Sequence, residues 1–235
     1  MFGGLSALFY LFGVQLFRDT TSRTQETLKV ILLSILTMLA LWMGSNSGTD
    51  YARQGLQSYF EFDFISLGKV FLLNSVLFSY VILYDLHTGE ISELLDTIKK
   101  VPQDYFTFKQ LILAPLIEEL YFRLVFLLLV DRSLWGSSWI YAVFSSLWFG
   151  ASHIKFGSFQ RNVQMFIMTF VFGFYASYVM LRTQNLWCCF LLHAYCNLLG
   201  PPQPLPENIS TIDAKILRSV LFGGIVAFFV LAFFL

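Results

Sequence analysis

Charge is scarce in this chain of 235 residues: Asp, Glu, Lys and Arg together make up 13% of it, about half the usual soluble fraction. At a mean hydropathy of +0.67, the polar residues cannot cover a water-soluble globule of this size. Low charge with 57% hydrophobic residues also excludes intrinsic disorder, which needs the opposite balance. Neither sign of charge prevails, with 15 cationic and 15 acidic residues, so no basic face is offered to nucleic acid. Cysteine is equally thin. Cys188, Cys189 and Cys196 lie in one apolar stretch and read as buried thiols rather than a disulfide framework. Strand alternation, internal repeats and low-complexity segments are missing as well.

What remains is a succession of apolar runs. A bilayer core of about 30 Å needs roughly 20 apolar residues per crossing, with shorter ones tolerated inside a bundle. Candidate spans are 2–17, 28–43, 67–84, 109–130, 138–153, 163–181, 186–200 and 217–235. The expected fold is therefore all-α, a polytopic integral membrane bundle of roughly seven to eight helices around a polar intramembrane cavity. One domain, 1–235, accounts for the whole length, with the chemically interesting core at about 105–205. Residues 1–17 lack a basic n-region and a small-residue cleavage site, so they read as a first membrane helix and not a signal peptide.

Two polar stretches interrupt the runs, 44–66 and 85–108. In the second, Ile91, Leu94, Leu95 and Ile98 recur at helical spacing with Lys99 and Lys100 behind them, which predicts a short amphipathic helix at the membrane surface or a plain connecting helix. The prolines of GPPQPLP at 200–206 must end a helix. Cations such as Arg18, Arg23, Lys99, Lys100, Lys155 and Arg161 favour the odd-numbered loops, which places those loops in the cytoplasm by the positive-inside rule. Trp42, Trp135, Trp139, Trp148 and Trp187 fall mostly near predicted helix ends and read as an aromatic belt. Asp104, Tyr105 and Gln160 are ordinary loop polarity by position.

Ionisable groups at membrane depth are costly and by default functional. Glu118, Glu119 and Arg123 stand among apolar neighbours in APLIEELYFRLVF, and two of the three histidines in the chain, His153 and His193, also fall within predicted spans. Glu119 and Arg123 are i,i+4 and share a helix face. In low dielectric they must pair, since either alone would be an uncompensated charge. Glu118 points about 100° away from that face. His193 and Asn197 are again i,i+4, as are Phe149 and His153. A carboxylate beside an imidazole can take a proton from water, and an imidazole with an amide can donate to a tetrahedral oxyanion. No serine or cysteine at these positions is an evident nucleophile, so water is the simpler attacker.

Three motifs now stand in order: EELYFR at 118–123, FGASH at 149–153 and HAYCN at 193–197. Together they resemble the CAAX prenyl protease 2 family, the Ras-converting endopeptidases within the Abi/CPBP intramembrane proteases. RDT near the amino terminus, APLIEE, FGFYASYVMLRT and HAYCNLLGPP are similar to its eukaryotic branch. The resemblance implies removal of the last three residues from a farnesylated or geranylgeranylated CAAX protein at the endoplasmic reticulum membrane, with no cofactor and no metal. It implies Glu118 as the base that activates water, His153 assisting, and His193 with Asn197 as the oxyanion hole. Glu119, Arg123 and Phe149 are supporting positions, the ion pair fixing the helix. Two other readings stand beside it. Two histidines and a glutamate can bind zinc, although no His-Glu-x-x-His spacing occurs, and membrane carboxylates and histidines also build transporters or scaffolds.

Overall fold

In the computed structural model, residues 23–46, 48–129, 138–154, 158–200 and 211–235 are described, all helical or connecting, with no strand among them. The predicted span 2–17, Trp135 and the prolines at 201–206 lie outside the described residues. Two helices, Phe159–Thr183 and Lys215–Phe233, are long and apolar enough to cross a membrane, and a bent pair makes a third if its arms count as one span. The chain divides into two compact units, Met1–Phe62 with Leu116–Cys189, and Asp63–Pro115 with Phe190–Leu235.

The first unit contains α1 (Arg23–Ser45), α2 (Asp50–Arg53), a 3-10 turn at Leu56–Phe60, a π-helical turn at Leu120–Val125, α8 (Phe126–Leu129), α9 (Ser138–Ser152) and α10 (Phe159–Thr183). Its core is Tyr121, Phe122, Leu124, Val125, Leu127 and Leu128 against Tyr141, Ala142, Ala176, Val179 and Met180, all almost wholly buried. Helices α9 and α10 approach closely because Gly173 has no side chain. A Cβ there would stand 3.2 Å from the Ser146 Cα. Thr49 ties in the preceding segment by donating from Oγ1 to the Leu128 carbonyl (2.7 Å) while accepting from the Ala52 amide.

The second unit contains α3 (Phe64–Leu77), α4 (Ser79–Thr88), α5 (Ile91–Lys100), α6 (Tyr105–Phe108), a first π-helical turn at Lys109–Leu113 and α12 (Thr211–Phe233). The single span predicted at 67–84 is instead α3 and α4, bent by 64° at Phe78. No proline or glycine marks the bend. It is held by packing, for α12 lies against both arms and brings Gly224 so near that a Cβ there would meet the Val76 carbonyl at 2.7 Å and the Ser79 hydroxyl at 2.8 Å. Asp63 caps α3, accepting from the Ile65 and Ser66 amides and the Ser66 hydroxyl. These bonds, the hydroxyl first, hold its carboxyl below the usual range. Helix α5 forms over Ile91–Lys100 with Leu95 and Ile98 exposed, the apolar stripe read from their spacing.

Two helices run through the boundary of the units: α7 (Ala114–Glu119) between the two π turns, and α11 (Leu186–Leu199). The start of α11 is fixed within the first unit. Asn185 accepts from the Trp187 and Cys188 amides and donates to the Glu61 carbonyl, and the Trp187 indole donates to Phe60. Trp187, expected in an aromatic belt, is thus a hydrogen-bonded anchor, stacked on Phe62 at 5.0 Å.

Candidate active site

The sequence 109–130 reads as one helix, but its backbone changes register twice. It is π-helical at Lys109–Leu113, α-helical at Ala114–Glu119, and π-helical again at Leu120–Val125. Such turns are rare and concentrate at functional sites. Glu118 and Glu119 sit on the short α segment between them.

The first π turn runs up to Pro115, which has no amide hydrogen: in α register the Leu111 carbonyl would face it without a donor, and in π register the Gln110 carbonyl does. The Ala114 amide, its alternative donor, is already given to the Lys109 carbonyl. The orphaned Gln110 oxygen is met by the Asn197 side chain, whose Nδ2 donates to it at 3.0 Å. That bond turns the Asn197 amide group one way only and leaves its second N–H for another acceptor. His193 precedes it by one helical turn on α11 and is buried. Tyr195, between them, bonds Ser75 through its hydroxyl (3.2 Å) and packs edge-on against Phe71 and Phe78.

The second π turn carries the ion pair. Arg123 Nε lies 2.9 Å from Glu119 Oε2, with both side chains fully buried. The N–H is not aimed along a hydrogen-bond line to that oxygen, so the attraction is that of charges in contact. Arg123 also donates from Nη1 to the Ser145 hydroxyl (2.9 Å) and lays its guanidinium over the Phe149 ring, 4.8 Å from the centroid, a cation–π contact strengthened by desolvation. Phe149 passes the arrangement on to His153, whose ring lies 4.6 Å away. His153 Nδ1 stands 2.8 Å from the Phe149 carbonyl. A carbonyl only accepts, so Nδ1 carries a hydrogen, and in the neutral imidazole Nε2 is the nitrogen with the lone pair. Glu118, next to the buried Glu119, is only half-buried.

The first unit thus gathers Glu119, Arg123, Phe149 and His153 into one contact series beside Glu118, and the second unit carries His193 and Asn197. Sequence reasoning missed Tyr141, Ser145 and Ser177, which are buried around Arg123. A signal was present: Tyr141, Ser145, Phe149 and His153 recur every fourth residue, the first three along one ridge of α9 and the last in the turn that ends it. Among the described residues, no three His, Cys, Asp or Glu side chains gather as metal ligands would.

These features define a membrane protein, helical throughout its described residues, with a fully buried ion pair, a half-buried carboxylate next to it in the chain and a half-buried, oriented histidine. Residues 104–199, which include every predicted site residue, match the family model described as type II CAAX prenyl endopeptidase Rce1-like. Among curated proteins, the chain is 27% identical over 145 residues to the probable CAAX prenyl protease 2 of Schizosaccharomyces pombe, covering 56% of this chain and 53% of that one. It is 29% identical over 148 residues to CAAX prenyl protease 2 of Saccharomyces cerevisiae, covering 52% and 47%. The chain therefore spans about half the length of the curated relatives it matches. No solved structure gives a significant match. The resemblance to the CAAX prenyl protease 2 family stands on ordered motifs, a family model and two relatives together.

Proposed function

We propose that this protein is an intramembrane endopeptidase that removes the C-terminal tripeptide from prenylated CAAX proteins, using a water activated by Glu118. The observation that carries the reading is the unequal fate of two adjacent carboxylates. Glu119 is sealed against Arg123 at 2.9 Å, and Glu118 is only half-buried. A general base must meet water, and a charge compensated in a dry interior cannot. The Nε2 lone pair of His153 accepts a hydrogen bond from the attacking water or steadies the proton that Glu118 takes. His193 and the uncommitted Asn197 N–H donate to the tetrahedral oxyanion.

The names of the two yeast relatives and the family description support prenylated CAAX substrates. Burying an isoprenoid, farnesyl or geranylgeranyl, contributes about 0.8 kcal/mol per CH₂, so membrane partitioning supplies much of the binding. The same reading extends to a single catalytic domain of roughly seven to eight spans in the endoplasmic reticulum membrane.

The test is release of the tripeptide from a farnesylated CAAX peptide by purified protein, with Glu118→Ala alongside and a chelator added to the wild type. Loss of cleavage in the folded variant, with chelator-resistant wild-type activity, is expected. Cleavage retained by the variant would remove Glu118 from the mechanism, and chelator-sensitive activity restored by zinc would replace this mechanism with a metal-dependent one.

A further inference from the structure

The residues that hold the second π turn come from α9 and belong to none of the three motifs. At Ser145, every hydrogen-bonding capacity of one hydroxyl is used. Its hydrogen goes to the Phe122 carbonyl, and its oxygen accepts from Arg123 Nη1 at 2.9 Å and from the Ser177 hydroxyl at 3.2 Å. A serine has one such donor and two such lone pairs, so the site is saturated. One turn earlier on the same ridge, Tyr141 donates its hydroxyl to the Arg123 carbonyl at 3.1 Å. Both accepting carbonyls lie inside the π turn. Ser145, Ser177, Tyr141, Glu119 and Arg123 are at most 1% exposed, so water cannot substitute for any bond that is lost.

A π turn inserts an extra residue into the helical register. Where it forms decides the rotation of the chain on one side relative to the other, and Glu118 and Glu119 immediately precede it. No proline explains this turn, in contrast to the one at Lys109–Leu113. Its carbonyls and its arginine are held from outside, by two hydroxyls of α9. His153 stands in the turn that directly ends α9, its Nδ1 held to the Phe149 carbonyl of the helix at 2.8 Å, so the helix that carries the clamp also anchors the imidazole.

We infer that Tyr141 and Ser145 are positioning residues of the hydrolytic centre, which fix the π turn and Arg123 and thereby the direction of the Glu118 carboxylate relative to His153. The inference rests on the proposed proteolytic reading. It adds to it the point that the base is aimed by a hydroxyl clamp on a neighbouring helix.

The test uses the full chain in lipid nanodiscs, with Ser145→Ala, Ser145→Thr and Tyr141→Phe compared with wild type on a farnesylated CAAX peptide. A misaimed base lowers kcat and leaves binding intact. Ser145→Ala is expected to lower kcat by about 10- to 100-fold with KM within about twofold, and Tyr141→Phe, which removes one hydrogen bond and no volume, by about tenfold or less. Ser145→Thr, which keeps the hydroxyl, is expected to recover much of the loss. Amide hydrogen exchange is expected to quicken in residues 119–126 of Ser145→Ala and to stay unchanged in α10. Full kcat in both Ser145→Ala and Tyr141→Phe would overturn the inference. So would a fall in kcat matched by faster exchange throughout the unit, since that is the signature of general destabilisation. An inactive wild type would remove the proteolytic reading and the positioning role together, whereas an active wild type with unimpaired variants would remove the positioning role alone.

Discussion

The two π turns share a geometry and differ in what writes it. At Lys109–Leu113 the cause is local. Pro115 withholds an amide, the Gln110 carbonyl is orphaned, and one side chain, Asn197, arrives to satisfy it. At Leu120–Val125 no residue of the turn forbids an α-helix. There the irregular register is held by hydroxyls from α9 and by the buried Glu119–Arg123 pair. A kink of the first kind is present as soon as the chain is written, and one of the second kind exists only after the helices pack. The segment between them holds the acid pair from both ends. In the first turn the captured carbonyl orients a candidate oxyanion donor, and in the second the captured carbonyls orient the candidate base.

The largest expected effect comes from the residue that both turns flank. Glu118→Gln should lower kcat by about 10²- to 10⁴-fold while circular dichroism and gel-filtration behaviour stay those of wild type. A variant with normal turnover would leave the two turns without a common purpose. Arg123→Ala attacks the second turn directly, stranding Glu119 as a buried charge, and should cost about 3–5 kcal/mol of stability, read by thermal unfolding in detergent. A loss below about 1 kcal/mol would mean that packing alone maintains that turn.

A double-mutant cycle sharpens the description of the first turn. Pro115→Ala gives the Gln110 carbonyl a backbone donor, so Asn197→Ala should be less destabilising in that background than in wild type, with a coupling of about 0.5–3 kcal/mol. Additive effects would dissociate Asn197 from the proline. The smallest effect concerns the entry to that turn. Asp104 caps α6 by accepting from the Thr107 hydroxyl (2.6 Å) and amide (2.8 Å). These bonds, the hydroxyl first, hold its carboxyl below the ordinary 3.8. A depressed carboxylate stabilises the fold above its unfolded value and loses that contribution as pH falls through the folded one. Asp104→Ala should therefore melt slightly lower than wild type near neutral pH, and the gap should close on acidification below the ordinary 3.8. A gap that persists in acid would assign the cap to Thr107 packing instead.

Period and pairing made part of this legible from residues alone. The spacing of Ile91, Leu94, Leu95 and Ile98 predicts α5, and the i,i+4 relation of Glu119 and Arg123 predicts their contact, because both depend only on local helical geometry. The bend at Phe78 was hidden within an unbroken apolar run, since its cause is the approach of Gly224 from more than a hundred residues away. Pro115 was visible, but its consequence required knowing that Asn197 would arrive at the Gln110 carbonyl. Tyr141 and Ser145 looked like incidental polarity in an apolar helix. Only their bonds to backbone oxygens distinguish them, and backbone oxygens carry no sequence signature.

The close seat of Gly224 on the α3–α4 bend has a consequence for how substitutions distribute along the last helix. Much of the C-terminal part of α12 presents interchangeable apolar side chains, with Phe222, Phe229 and Phe233 widely exposed, and a scan of apolar substitutions there should be nearly flat. Position 224 should stand out as a single notch, because even one methyl meets the Val76 carbonyl at 2.7 Å. In a segment whose composition looks generic, the apolar position least open to exchange would then be a residue with no side chain.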